Sequence, residues 1–323
     1  MFFAMFFKIL NKSSLRKLRF HANLTGKFIG PEQEGGNVKM EDDFLTKIFP
    51  FKRNWFERGK IRIHYVDEGQ GKPIVMFHAC PMWSFAYRNL IRELSTDHRV
   101  IAFDLPGFGL SSAGNHFAYK LNSYINITEG FLEALELDDI TLILHGWGGT
   151  AGMGYAVRHP RKIRSLIIFN TLSFGTGSLP LRLKVCRIPW LGSKLVVNLN
   201  LLLLGNRHHS KEIAEAYDYP YRNFSARYPL YRFVEDIPSV PEADSAQLIM
   251  EIEAGLWMFR STPALILWAM HDWLYPPKQL KWWRRYLPGA EVHELERAGR
   301  YIQEDAPDEL RYYIRKFLSE HQI

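Results

Sequence analysis

The sequence predicts an α/β protein built on one mostly parallel, doubly wound sheet. Short, nearly continuous apolar runs recur at 73–78, 100–104, 142–144, 164–170 and 264–269. Such runs belong to parallel strands covered on both faces. Between them, residues 85–95 (Phe85, Leu90, Ile91, Leu94) and 121–136 carry apolar side chains at helical spacing. The segment from Ile140 to Gly152 reads as a buried strand, a tight turn and a helix of small residues. Strand–helix alternation of this kind folds into a doubly wound sheet.

Taken in order, the run from Lys60 to Val66 alternates apolar and polar residues, as a half-buried strand does. The strands at 73–78 and 100–104 follow, each handing over to a helix. At 140–152 the middle of the turn is Gly146, and Gly148, Gly149 and Gly152 allow the helix to pack closely on its strand. Residues 173–245 then break the rhythm with Pro180, Pro189, Pro220, Pro229, Pro238 and Pro241, around helix-like patches at 195–204 and 212–217. The expectation is an inserted helical lid over the carboxyl ends of the strands, where open sheets hold their ligands. The chain thus divides into an extension (1–39), a core in two parts (40–172 and 246–323) and the lid (173–245).

At 323 residues, 47% of them apolar and 23% charged, the chain has the composition of a globular protein with one large core. The net charge of +7 is unevenly placed. Residues 1–39 hold seven Lys/Arg against Glu32 and Glu34, which leaves thirty-four basic and thirty-two acidic residues, +2, for the rest. That body is not a polyanion binder, and no nucleic-acid partner is expected. Cys80 and Cys186 make no disulfide framework and point to a reducing, cytoplasmic setting. The apolar start of the chain precedes its basic residues, the wrong order for a secretory signal. It reads as a disordered tail, or as a segment (1–31) that associates weakly with a membrane surface or serves as a transit peptide.

At the turn the chain resembles a known family. The stretch from His78 to Phe85 (His-Ala-Cys-Pro-Met-Trp-Ser-Phe) is similar to the His-Gly-Asn-Pro-Thr-Trp-Ser-Phe of the haloalkane dehalogenases. The loop from Asp104 to Ser111 resembles their Asp-x-x-Gly-x-Gly-x-Ser, and the run from His145 to Gly149 resembles their His-Asp-Trp-Gly-Gly elbow. Segments 153–160, 170–171, 186–189, 232–238, 268–272 and 298–305 are most similar to the branch containing the β-lactone decarboxylase of bacterial olefin biosynthesis. The resemblance spans about residues 46–320 and implies the α/β-hydrolase fold.

It also implies roles that this chain does not fill. In the family an aspartate at 146 attacks carbon, a histidine at 300 activates water, and an acid at 272 orients that histidine. Trp147 and an asparagine at 80 donate to the leaving anion. Here Gly146 stands at the nucleophile, Arg300 at the base and Cys80 at the asparagine, while Trp147 and Asp272 remain. Glycine has no attacking atom, and a guanidinium stays protonated. The expectation is a catalytically degenerate member that keeps a pocket for a small apolar or lipid-like ligand, lined by Trp147, Cys80, Ala79 and His78.

Gly146 should be left-handed and face a lid-covered cavity, and Arg300 should pair with Asp272. The alternatives are an enzyme working through Cys80 or His271, or a scaffold for protein partners. His78 and His145 read as structural, Asp104 as a turn-stabilising acid, and His208-His209 as no metal site. No cofactor and no metal are expected.

Overall fold

The computed structural model describes residues 27–29, 42–113, 116–175, 180–202, 209–238 and 244–323. Nine strands form one sheet, here β1 Lys27–Ile29, β2 Asn54–Arg58, β3 Ile61–Glu68, β4 Pro73–Phe77, β5 Arg99–Phe103, β6 Ile140–His145, β7 Ile163–Phe169, β8 Ala264–Ala269 and β9 Glu291–Leu295. Their order is β1-β2-β3-β5-β4-β6-β7-β8-β9. The first three pair antiparallel, and from β5 to β9 every pair is parallel. The central strands β6 and β8 are buried along their whole length, which explains their unbroken apolar sequence.

Helices cover both faces: α1 Asp42–Ile48, α2 Arg88–Leu94, α3 Leu121–Ala134, α4 Gly146–Arg158, and, late in the chain, Asp244–Gly255, Leu280–Tyr286 and Pro307–Glu320. One apolar cluster fills the side of α3 and α4, around Phe77, Phe103, Tyr124, Phe131 and Trp147. The other holds Trp83, Tyr87, Ile91 and Tyr301 together with Ile314 and Phe317 of the last helix.

Between β7 and β8 the chain departs from the sheet. The insertion contains α5 Leu181–Val185, a short wide-helical turn at Lys194–Asn198, α6 Lys211–Asp218 and α7 Phe224–Asp236. Direct bonds fasten it to the core. Trp83 Nε1 donates to the Ala216 carbonyl at 3.1 Å, and Tyr217 donates to Glu304 at 2.7 Å. Asp236 accepts the first amide of α3, from Leu121, at 2.7 Å.

The extension differs in one respect from the disordered tail that the sequence predicts. Lys27–Ile29 lie along β2 as β1, Lys27 opposite Glu57 and Ile29 opposite Trp55, because the outer side of β2 offers unpaired backbone groups to any strand within reach. The other residues of 1–39, including nearly all of the segment 1–31 read as a membrane contact, lie outside the described residues, as does His208.

Close packing of α4 on the sheet sets where the turn after β6 points. A Cβ on Gly148 would collide with the His78 carbonyl oxygen, a backbone atom that cannot rotate away. Gly148→Ala therefore lowers stability by about 3 kcal/mol through overpacking. Urea denaturation checks this, with a fall in midpoint expected at an unchanged slope.

Candidate active site

The strand β6 turns directly into α4 at Gly146, whose φ of 58° is left-handed. Only glycine adopts this without strain, so the expected elbow conformation is present. The Gly146 amide donates to the Asn170 carbonyl at 3.2 Å. Asn170 in turn bridges to Ala269, accepting its amide at 2.7 Å and donating to its carbonyl at 2.9 Å. The ends of β6, β7 and β8 are thereby tied together under the turn.

The space directly in front of Gly146 is filled rather than open. A Cβ there would meet the Ala79 methyl at 2.6 Å and Arg300 Nη2 at 3.1 Å. The family sequence resembled at 78–81 has glycine at 79, and here that position is alanine. The methyl of Ala79 occupies room that a side chain at 146 would need.

Arg300 is 5% exposed and Asp272 2%. Arg300 Nη1 donates to Asp272 Oδ2 at 3.2 Å, and Nη2 donates to the Cys80 carbonyl at 2.8 Å. The guanidinium carbon lies 5.1 Å from the centre of the Tyr275 ring, a cation–π contact. The amides of Leu274 and Tyr275 donate to the other Asp272 oxygen at 2.8 and 3.3 Å. Burial pushes the Asp272 carboxyl up, against the pull of Arg300 and these amides. Burial also works against the charge on Arg300, and the Asp272 carboxylate outweighs it and holds the guanidinium protonated. Asp272 and Arg300 form a buried ion pair.

The other residues singled out by the sequence fall into place around it. Trp147 is 1% exposed and packs edge-on to Phe233 of α7, ring centres 5.9 Å apart. Its indole N–H has no partner among the described residues, and neither does Arg300 Nε. Cys80 is a buried free thiol whose pKa is driven well up by burial, only partly offset by Arg300, which makes it a poor nucleophile. His78 Nε2 accepts the Leu105 amide at 2.9 Å, leaving Nδ1 to donate to the Ala79 carbonyl at 3.1 Å. His145 Nδ1 accepts from Gln303 at 3.0 Å. His271 is exposed, so the base that an alternative mechanism requires does not face the elbow.

Asp104 holds turns together, as expected, accepting from Ser84, Leu110 and His64 at 2.7, 2.9 and 2.9 Å. Glu129, Glu133 and His159 lie close enough to share a cation, but Arg158 and His159 already engage Glu129 at the far end of α4. Sequence reasoning did not anticipate the carbonyl of Cys80, the Tyr275 ring or Gln303 as neighbours. Ala79 was in view as a pocket residue, and its difference from the resembled glycine was the available signal.

Two expectations follow. Asp272→Ala leaves a buried, unpaired guanidinium and costs about 3–5 kcal/mol, whereas Asp272→Ala with Arg300→Met recovers most of it; thermal denaturation of both variants measures this. Burial also holds the pKa of His78 and, more strongly, His145 below its ordinary value. Both stay neutral in the fold while the unfolded chain takes up protons below about pH 6.5. Stability is then full above that pH and falls as the pH drops, by up to roughly 1.4 kcal/mol per pH unit for each histidine. His145→Gln should flatten that slope in urea titrations between pH 7 and pH 5.

Comparison with known proteins agrees with this fold. The model of the alpha/beta hydrolase fold family matches residues 72–307. The chain is 40% identical over 289 residues to a cis-3-alkyl-4-alkyloxetan-2-one decarboxylase of Shewanella oneidensis, covering 85% of this chain and 91% of that protein. It is 31% identical over 284 residues to haloalkane dehalogenase 2 of Mycobacterium tuberculosis, covering 84% and 97%. Among solved structures, a haloalkane dehalogenase of Agrobacterium tumefaciens shares the fold with a TM-score of 0.77 at 23% identity, over 84% of this chain and 97% of that one. With its sheet order and these relatives, the chain belongs to the α/β-hydrolase superfamily and, within it, to the haloalkane dehalogenase-like family.

Proposed function

We propose that this chain is a catalytically degenerate member of its family, which binds an apolar or lipid-like ligand beneath the helical insertion, beside the filled elbow rather than in front of Gly146, without turning it over. The filled elbow carries the proposal. Gly146 offers no attacking atom, and the guanidinium at the base position stays protonated beside Asp272. A nucleophile and its base act as a unit, so the loss of both removes the covalent route that the family uses. The remaining candidates add no support for turnover, since Cys80 is a buried, protonated thiol and His271 is exposed.

The ligand class follows from what surrounds the turn. The insertion acts as a lid, and its Phe233 packs on Trp147. The indole N–H of Trp147 and the Nε–H of Arg300 have no partner among the described residues. A molecule with alkyl chains and one oxygen-bearing head suits both features, and the name of the Shewanella relative refers to a compound of that shape. The buried free thiols are in keeping with a reducing, cytoplasmic setting.

Purified protein should release no halide from bromoalkanes, decarboxylate no dialkyl β-lactone above background, and show no ester adduct by mass spectrometry. A long-chain β-lactone should nevertheless raise its melting temperature, with Trp147→Phe weakening that binding roughly tenfold through one lost hydrogen bond. Gly146→Asp alone should cost about 3 kcal/mol, from left-handed strain and the Ala79 contact. Turnover should return only when Gly146→Asp, Arg300→His and Cys80→Asn are joined by Ala79→Gly. Multiple turnovers by the unmodified protein, abolished by Cys80→Ala or His271→Ala, would overturn the proposal.

A further inference from the structure

Ten large apolar side chains stand out as exposed among the described residues, and six of them lie on the insertion: Leu181, Ile188, Trp190, Leu199, Phe224 and Tyr228. Scattered singly over the surface they would need no explanation, but this concentration does. Leu181, Trp190 and Leu199 are 75%, 71% and 65% exposed. The stretch 180–202 that carries them also carries Arg182, Lys184, Arg187 and Lys194 and not one acidic residue. Arg182, Lys184 and Lys194 are exposed. The Lys194 ammonium sits 5.5 Å from the centre of the Trp190 ring. Phe224 and Tyr228 join the same region, because Arg227 Nη1 donates to the Val197 carbonyl at 3.1 Å. All three side chains, Val197, Phe224 and Tyr228, border one cleft of about 790 Å³.

We infer that this face of the insertion docks on an anionic lipid surface. Apolar and aromatic side chains enter the headgroup region while neighbouring Lys and Arg meet the negative surface potential. Tryptophan beside a cation is suited to that boundary, where one side is apolar and the other wet. No helix among the described residues is long and apolar enough to span the bilayer. A second copy of the chain is the less favoured occupant, since a two-fold contact through this face would bring like charges from Arg182, Lys184 and Lys194 together. The inference is separate from the proposed ligand binding, because the exposed face would dock whether or not the elbow holds a ligand.

Co-sedimentation of the full chain with phosphatidylcholine vesicles, with and without an equal part of phosphatidylglycerol, tests it. Binding should require the anionic lipid and fall with salt. Leu181→Ser/Trp190→Ser/Leu199→Ser and, separately, Lys184→Glu/Lys194→Glu should each weaken it roughly tenfold or more. These side chains are exposed, so melting temperatures close to that of the unmodified protein serve as the folding control. Three results overturn the inference: no sedimentation with anionic vesicles, undiminished sedimentation of both variants, or dimerisation in solution that the apolar variant abolishes. The second would assign membrane binding to a surface outside the insertion, and the third would assign this face to a second copy.

Discussion

The guanidinium of Arg300 is the constraint on which the rest of the site depends. It is buried and charged, and such a group persists only when paired and hydrogen-bonded. Its fork reaches Asp272 on one side and the Cys80 carbonyl on the other, so it joins the loop after β8 to the loop after β4 across the turn at Gly146. Asp272 is anchored from behind by the amides of Leu274 and Tyr275, which keeps the carboxylate from following the arginine. In this arrangement the pair holds together two loops that flank the turn.

Around that pair the substitutions form one consistent set. Gly146 relieves the backbone of strain at φ 58° and leaves room for the Ala79 methyl. Arg300 closes on the remaining space, and Cys80, with a small thiol in a buried setting, contributes its carbonyl rather than its side chain. Each change makes sense beside the others, because interiors are packed too tightly for one to be made alone. The histidines follow the same logic, with both His78 and His145 held neutral by burial and by hydrogen bonds to the neighbouring framework.

The helical insertion meets two environments. Its inner side is fastened to the core through Ala216, Tyr217, Phe233 and Asp236. Its outer side leaves Leu181, Trp190 and Leu199 in solvent. Short helices joined by prolines can serve both sides because no single amphipathic face must be kept along a long axis.

The sequence by itself determined the central sheet and the elbow. Strands β4 to β8 were legible because burial on both faces leaves an unbroken apolar run, and the elbow because small residues must follow a buried strand there. The half-exposed β9, with only Leu295 buried, and the edge pair β1–β2 carried no comparable signal, since edge strands are specified by their neighbours rather than by their own pattern. The pairing of Arg300 with Asp272 was also foreseeable, because the two positions correspond to neighbours in the family that the motifs resemble. The tertiary structure decided that the room at Gly146 is occupied. Whether a methyl at 79 and a guanidinium at 300 fill one space depends on distances between segments more than sixty residues apart, and those are set by the register of β4 against β6 and by the packing of α4 upon them.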